Sequence, residues 1–181
     1  MRLTLLMTTL AASLLTGTAQ GAVETNRFTG QSCQGAASTD RAAVLYNSSG
    51  AQNDSTAGAV VLYCPNQWTG SLANTNSVHA IINYFDRSSV DSLSCRFEVM
   101  NSSGTILTGP WAYSCATSGG CATSTPSFAS ASLQRMDLSL PAGVIGMYSF
   151  AVRCSIPRKS TTLGNWSGIA GYILSHDVVG F

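Results

Sequence analysis

Six cysteines and two histidines are the residues whose side chains could carry metal, redox or nucleophilic chemistry in this chain. A zinc site would need cysteines about two to four residues apart or a nearby pair of histidines, and neither pattern occurs. The sequence therefore predicts no metal and no cofactor. The cysteines are Cys33, Cys64, Cys95, Cys115, Cys121 and Cys154.

The N-terminal segment decides how these cysteines are interpreted. Residues 1–21 carry one basic residue, Arg2, then an apolar run from Leu3 to Leu15 and small residues near their end. This pattern is typical of a secretory signal peptide. A membrane anchor is disfavoured because the run is shorter than the ~20 residues that a spanning helix needs. We expect a secreted or periplasmic protein of residues 22–181, with no membrane span after signal removal.

Strict alternation of apolar and polar residues predicts two half-buried β-strands, DSLSCRFEVM at 91–100 and MYSFAVRCSI at 147–156. Each apolar face carries one cysteine, Cys95 or Cys154. Cysteines so placed can join neighbouring or facing strands, and we infer a bridge between them. A buried free thiol is the alternative, and a nucleophile is disfavoured because apolar burial raises the pKa of a thiol.

The other cysteines are assigned from spacing and elimination. An even number of cysteines in an oxidising compartment favours disulfide bonds. Cys115 and Cys121 bracket the residues ATSGG, which predicts a small bridged loop. Cys33 is then left to pair with Cys64.

Short apolar runs separated by turn signals extend over the rest of the mature chain, and no helical periodicity of useful length occurs. The turn signals include NSSG at 47–50 and again at 101–104. The fold class predicted is all-β, an antiparallel, disulfide-stabilised β-sandwich of jelly-roll or immunoglobulin-like type, in a single domain of roughly 160 residues. The order of strand pairing stays open. The runs lie at 42–46, 59–64, 78–85, 105–108, 133–140 and 169–175.

The charge pattern limits the class of partner. Only 9% of the residues are charged, and nine basic and eight acidic residues are spread along the chain. No basic cluster forms the electrostatic footprint that nucleic acid or an anionic membrane would need. We therefore expect no nucleic-acid partner, and the sequence does not identify the partner.

Several short motifs resemble those of a group of exported bacterial proteins without an established activity. They are Cys33, YCP at 63–65, YFDR at 84–87, the cysteine in VDSLSCRFEV, and CSIP at 154–157 before GIAGYILS. Cys115 and Cys121 depart from that pattern. The resemblance implies a secreted β-sandwich and no catalytic residues.

An enzymatic site finds little support. A small secreted hydrolase would have to use His176 with Asp177, or His79 with Asp86, and no G-x-S-x-G elbow is present. A structural role is expected for both histidines, so the chain is interpreted as no enzyme.

Two acidic residues have structural interpretations. Glu98 shares the outward strand face with Arg96, so it is expected to be a cross-strand charge partner. Asp86 follows an apolar run, and we expect it to hold a turn through hydrogen bonds to backbone amides.

Aromatic residues outside the clean strands are the candidate ligand-binding residues. We predict an exported non-catalytic protein with a structural or ligand-binding role; the ligand would be a protein or a carbohydrate stacked on exposed aromatic rings. Alternatively, these rings cap the core, in which case at least two of the tryptophans are mostly buried against residues such as Phe97 or Phe150. The candidates are Trp68, Trp111, Tyr113 and Trp166.

Overall fold

The computed structural model describes residues 22–65, 75–88, 91–101, 103–114, 134–139, 147–159 and 166–178. Within these ranges no helix is long and apolar enough to cross a membrane. The elements are β1 (Ala22–Thr29), a 3-10 turn (Gly30–Ser32), β2 (Gln34–Gly35), α1 (Ser38–Ala43), β3 (Val44–Asn47), β4 (Gly50–Asn53), β5 (Val60–Pro65), β6 (Thr75–Phe85), β7 (Ser94–Asn101), β8 (Ile106–Thr108), β9 (Ala112–Tyr113), β10 (Gln134–Ser139), β11 (Met147–Ile156) and β12 (Gly168–Val178).

The strands form two antiparallel sheets. Sheet I has the order β10-β6-β12-β4-β3, and β1 also pairs with β12. Sheet II has the order β2-β5-β11-β7-β8, and β9 also pairs with β7. The predicted all-β sandwich is therefore confirmed.

One apolar core lies between the sheets, because each contributes its inward face. The alternation predicted for 91–100 and 147–156 is confirmed in β7 and β11, which are neighbours in sheet II. Burying one such side chain fully contributes about 1.5–3 kcal/mol. Fully buried core residues include Ile82, Tyr172 and Leu174 from sheet I and Leu62, Phe97 and Val152 from sheet II.

Both disulfides that the structure describes were predicted. Cys95 and Cys154 are directly paired positions of β7 and β11, with their Cα atoms 4.1 Å apart. Cys33 precedes β2 and bonds to Cys64 of β5, with a Cα separation of 3.9 Å. All four residues are completely buried. One bridge joins β7 to β11, and the other joins the residue before β2 to β5, all in sheet II. The predicted Cys115–Cys121 bridge and the signal peptide lie outside the described residues.

An N-terminal strand was not predicted, since the first apolar run begins at residue 42. β1 nevertheless pairs with β12 from Ala22 to Thr29. Most of its described side chains are exposed, and Phe28 anchors it by stacking on Tyr172 with a centroid distance of 4.7 Å. Backbone pairing, which apolar periodicity does not reveal, therefore holds this strand.

β1 and β4 share one edge of β12, and two glycines make this close approach possible. A Cβ atom at Gly30 or at Gly50 would overlap the carbonyl oxygen of Ile169. Gly50 also has φ of +118°, a backbone conformation that favours glycine. It closes the turn that NSSG at 47–50 predicted, so this turn is confirmed.

Buried polar side chains tie the two sheets together. The hydroxyl of Tyr172 in sheet I donates to the carbonyl of Pro65 in sheet II at 2.8 Å, and burial raises the pKa of Tyr172 to about 12. Asn53 of β4 is fully buried, and its amide donates to the carbonyls of Ile156 and Pro157 at 3.1 and 3.0 Å. These bonds fix how the sheets are placed relative to each other.

Candidate ligand-binding face

The outward side of sheet II gathers charged and aromatic side chains from neighbouring strands. Arg96 of β7, Arg153 of β11 and Tyr63 of β5 are direct partners in the pairing register. Their side chains point away from the core because they alternate with buried residues. We call this surface the arginine–aromatic face; its residues are Tyr63, Arg96, Glu98, Trp111, Tyr113 and Arg153.

Glu98 is the hydrogen-bonding centre of this face. Its Oε1 accepts from Nη2 and Nε of Arg96 at 2.6 and 3.2 Å, and from Nη1 of Arg153 at 3.2 Å. Its Oε2 accepts from the hydroxyl of Tyr63 at 3.0 Å. The Glu98 side chain is 12% exposed. The expected role as a cross-strand charge partner is confirmed.

The same contacts shift two pKa values. Burial alone would raise the pKa of Glu98, but hydrogen bonds from Arg96, Tyr63 and Arg153 outweigh it and lower that pKa. Burial, followed by the hydrogen bond to Glu98, raises the pKa of Tyr63. Glu98 is therefore held ionised and Tyr63 neutral over the ordinary pH range.

The ring of Trp111 lies close to both arginines of the face. The guanidinium carbon of Arg96 lies 4.5 Å from the centroid of the Trp111 ring, and that of Arg153 lies 5.9 Å from it. Cation–π attraction of this kind contributes about 0.5–2 kcal/mol, more where water is excluded. The ring is half-buried.

The short segment around β9 places two aromatic rings on this face. Ala112 pairs with Cys95 and packs on the core, so Trp111 and Tyr113 on either side of it project outward. Tyr113 is 39% exposed. The backbone N–H of Ser114 donates to the Leu93 carbonyl at 2.8 Å and pins the segment to sheet II.

Trp166 lies at another place, before the start of β12. Its ring packs edge-on against Phe85 with centroids 4.5 Å apart, and Arg87 lies 5.2 Å from its centroid. The four aromatic candidates therefore separate: two share the arginine–aromatic face, Trp166 does not, and Trp68 lies outside the described residues.

The capping prediction needs correction in its partners. The described tryptophans, Trp111 and Trp166, are half-buried, but their ring contacts are Arg96 and Phe85. Phe97 and Phe150, the partners that were expected, contact each other in the core at 5.8 Å. The outward stacking of Trp111 on an arginine was not anticipated.

Asp86 holds the turn that was expected after β6. Its carboxylate accepts from the backbone N–H groups of Ser88 and Leu93 at 3.0 and 2.8 Å. The hydroxyls of Ser114 and Ser167 also donate to it. Asp86 is only 3% exposed, so its contacts are those of a structural anchor.

Of the two histidines, His79 has a described side chain, which is exposed on β6, and its direct partners in the register are Ser139 of β10 and Ser175 of β12. His79 and Asp86 stand seven residues apart along β6 and its end, roughly 23 Å of extended chain. At this separation His79 and Asp86 are too far apart for a direct hydrogen bond. The structure does not describe the side chains of His176 and Asp177. Within the described residues no group of three or more His, Cys, Asp or Glu could hold a metal.

Sequence reasoning missed Tyr63 and Arg153 as site residues. One signal could have found Arg153: in an antiparallel pair that places Cys95 opposite Cys154, the next residue of one strand faces the preceding residue of the other. Arg96 is therefore paired with Arg153. No comparable signal placed Tyr63, since the pairing of β5 with β11 was not predicted.

Two solved structures are among those that this chain resembles in fold. No protein-family model and no curated protein matches the chain. The structure of infectious bursal disease virus Gx strain aligns with a TM-score of 0.45 and 15% identity over 88% of this chain and 33% of the viral chain. The chain thus spans about a third of the viral chain. The xylan-binding module CBM15 aligns with a TM-score of 0.43 and 11% identity over 88% of this chain and 99% of that module.

Proposed function

We propose that this chain is an exported, non-catalytic β-sandwich protein that binds carbohydrate on the arginine–aromatic face. One observation carries the proposal: Trp111 and Tyr113 stand beside an ordered polar cluster on a single outward sheet surface. A sugar ring has an apolar C–H side and a rim of hydroxyl groups. It therefore suits a surface that combines aromatic rings with fixed hydrogen-bonding groups.

The order of the face supports binding. Glu98 fixes Tyr63, Arg96 and Arg153 through hydrogen bonds, and Arg96 in turn supports the Trp111 ring. Because these side chains are already held, a ligand would lose little free energy in ordering them. The pairing of β9 with β7 also keeps the rings of Trp111 and Tyr113 in a constant arrangement.

The non-catalytic part of the proposal rests on the described titratable groups. Asp86 is occupied by turn-forming hydrogen bonds, and Glu98 is occupied by two arginines and a tyrosine. Neither carboxylate has the features of a general acid or base waiting for a substrate. We expect a panel of hydrolase substrates to show no turnover that His79→Ala or His176→Ala abolishes.

The compartment is part of the same proposal. Two disulfides are described, and bridges of this kind persist in oxidising environments outside the cytosol. Together with the predicted signal peptide at 1–21, they support secretion or residence in a bacterial periplasm.

Titration of the exported protein with soluble polysaccharides, followed by calorimetry and tryptophan fluorescence, tests the proposal. At least one glycan should bind, and Trp111→Ala should weaken that binding by about tenfold or more, equivalent to at least 1.4 kcal/mol. Trp166→Ala is the matched control, because it removes an indole that lies off the face. Absence of binding by any glycan, or equal binding by folded Trp111→Ala, would overturn the proposal.

A further inference from the structure

We propose that the carbohydrate bound here is a polyuronate, a glycan whose sugar units carry carboxylate groups. This inference rests on the proposed function and names its ligand class. Two arginines and one glutamate meet on the face, so it carries an excess of positive charge. An anionic ligand would neutralise that excess.

The hydrogen-bond donors on the face outnumber their acceptors. Each guanidinium carries five N–H donors and stays protonated. Arg96 donates twice and Arg153 once to the same oxygen of Glu98. Among the described residues, the two guanidinium groups therefore offer more donors than Glu98 accepts, and a carboxylate supplies two planar acceptors that match a guanidinium fork.

The neighbours of the cluster would not repel an acid. The residues paired with it across sheet II are uncharged, so Glu98 is the only acidic side chain in these rows of the described sheet. These neighbours are Gln34, Ser94, Thr108, Ala151 and Ser155.

A uronate unit combines the two features that the face requires. Its ring offers an apolar side to Trp111, and its carboxylate sits on the rim of that ring within reach of an arginine. Arg96 and Arg153 lie on adjacent strands, about 4.8 Å apart across the sheet. Ring stacking and carboxylate binding can therefore occur on one sugar unit.

Two polymers that share one sugar backbone but differ in charge test this inference. Polygalacturonate carries ionised carboxylates, whereas its fully methyl-esterified form carries neutral esters on the same backbone. We expect the acid form to bind at least tenfold more tightly at low salt, with the difference shrinking as salt screens the charges. Equal affinity for the two polymers would overturn this inference, and loss of both affinities in Trp111→Ala would still uphold the proposed function.

Substitutions of Arg153 test whether this residue gives the preference for the acid form. Arg153→Gln should weaken binding of the acid at least tenfold more than binding of the ester, whereas Arg135→Gln in sheet I should keep the preference. If Arg153→Gln does not fold, Arg153→Lys retains the charge without the fork and should lower the preference. A preference unchanged in folded Arg153 variants, or a sulfated glycan bound as tightly as polygalacturonate, would overturn the polyuronate assignment.

Discussion

Two strands of this protein carry the same local pattern with different results. β7 contains Arg96-Phe97-Glu98, and β10 contains Arg135-Met136-Asp137, so each has an arginine and an acid two residues apart. Both pairs form ion pairs, with N–O distances of 2.6 and 2.9 Å. The side chains are 18% and 12% exposed in β7 but 60% and 68% exposed in β10.

Position in the sheet explains the difference. β10 is the edge strand of sheet I and pairs with β6, whereas β7 has β11 on one side and β8 and β9 on the other. β7 therefore receives Arg153 and Trp111 from its neighbours. An exposed pair typically contributes about 0–1 kcal/mol, while a partly buried network stabilises by more than separate pairs would. The neighbours, and not the pattern, give the pair in β7 its strength.

The largest expected effect comes from removing the covalent bond beside the β7 network. Cys95→Ala combined with Cys154→Ala should lower the free energy of unfolding by about 2–5 kcal/mol, because the bridge closes a loop with a sequence separation of 59. Urea denaturation measures the change. Cys33→Ala combined with Cys64→Ala is the matched variant; the bridge it removes closes a loop with a separation of 31, so the loss should be about 0.6 kcal/mol smaller. A loss below about 1 kcal/mol would contradict the assigned role.

The two acids can then be compared directly. Glu98→Gln should lower the free energy of unfolding by about 1–3 kcal/mol, because it leaves two guanidinium groups and the Tyr63 hydroxyl poorly matched. Asp137→Asn should change it by no more than about 0.5 kcal/mol. Equal effects in urea denaturation would show that burial does not distinguish the two pairs.

Acid should weaken the β7 network selectively. The pKa of Glu98 is lowered in the folded protein, so its stabilising contribution is fully present above its unfolded pKa of about 4.3. That contribution is lost as the pH falls through the lower, folded pKa. Denaturation midpoints from pH 6 down to about pH 3 should therefore fall less steeply in Glu98→Gln than in the unmodified protein. Parallel pH profiles would refute this assignment.

The smallest effect on stability is expected from changing Trp111, whose ring contacts Arg96. Trp111→Leu keeps an apolar side chain, although a smaller one, and removes the cation–π contact; it should lower the free energy of unfolding by about 0.5–1 kcal/mol. A double-mutant cycle with Arg96→Gln measures the coupling between the two residues. Zero coupling energy would mean that the stacking seen between them contributes nothing.

Part of this architecture could be predicted because it leaves a periodic trace. β7 and β11 bury one side and expose the other, so alternate residues reveal both the strands and the inward cysteines. The hairpin at Gly50 was signalled by turn residues. These features depend on local sequence alone.

Other features depend on partners that are distant in sequence. β1 is held by backbone bonds to β12, and Asn53 is buried because carbonyls near Ile156 satisfy its amide. The contact of Trp111 with the arginines could not be predicted, since it depends on strand pairing that brings Arg96 and Arg153 together. Two of the four aromatic candidates, Trp111 and Tyr113, lie on the arginine–aromatic face. Tyr63 and Arg153 could be assigned to that face only from the pairing register of β5, β11 and β7.

The connectivity of the bridges bears on how the chain would mature if it is exported as proposed. Cys33 and Cys64 are consecutive cysteines, so oxidation in the order of emergence joins the correct pair. Cys95, in contrast, must pass over Cys115 and Cys121 to reach Cys154. A chain oxidised strictly as it leaves the membrane would first link Cys95 to Cys115. From that intermediate the native bond would be reached only by thiol–disulfide exchange, which a shuffling catalyst or a reducing partner would speed.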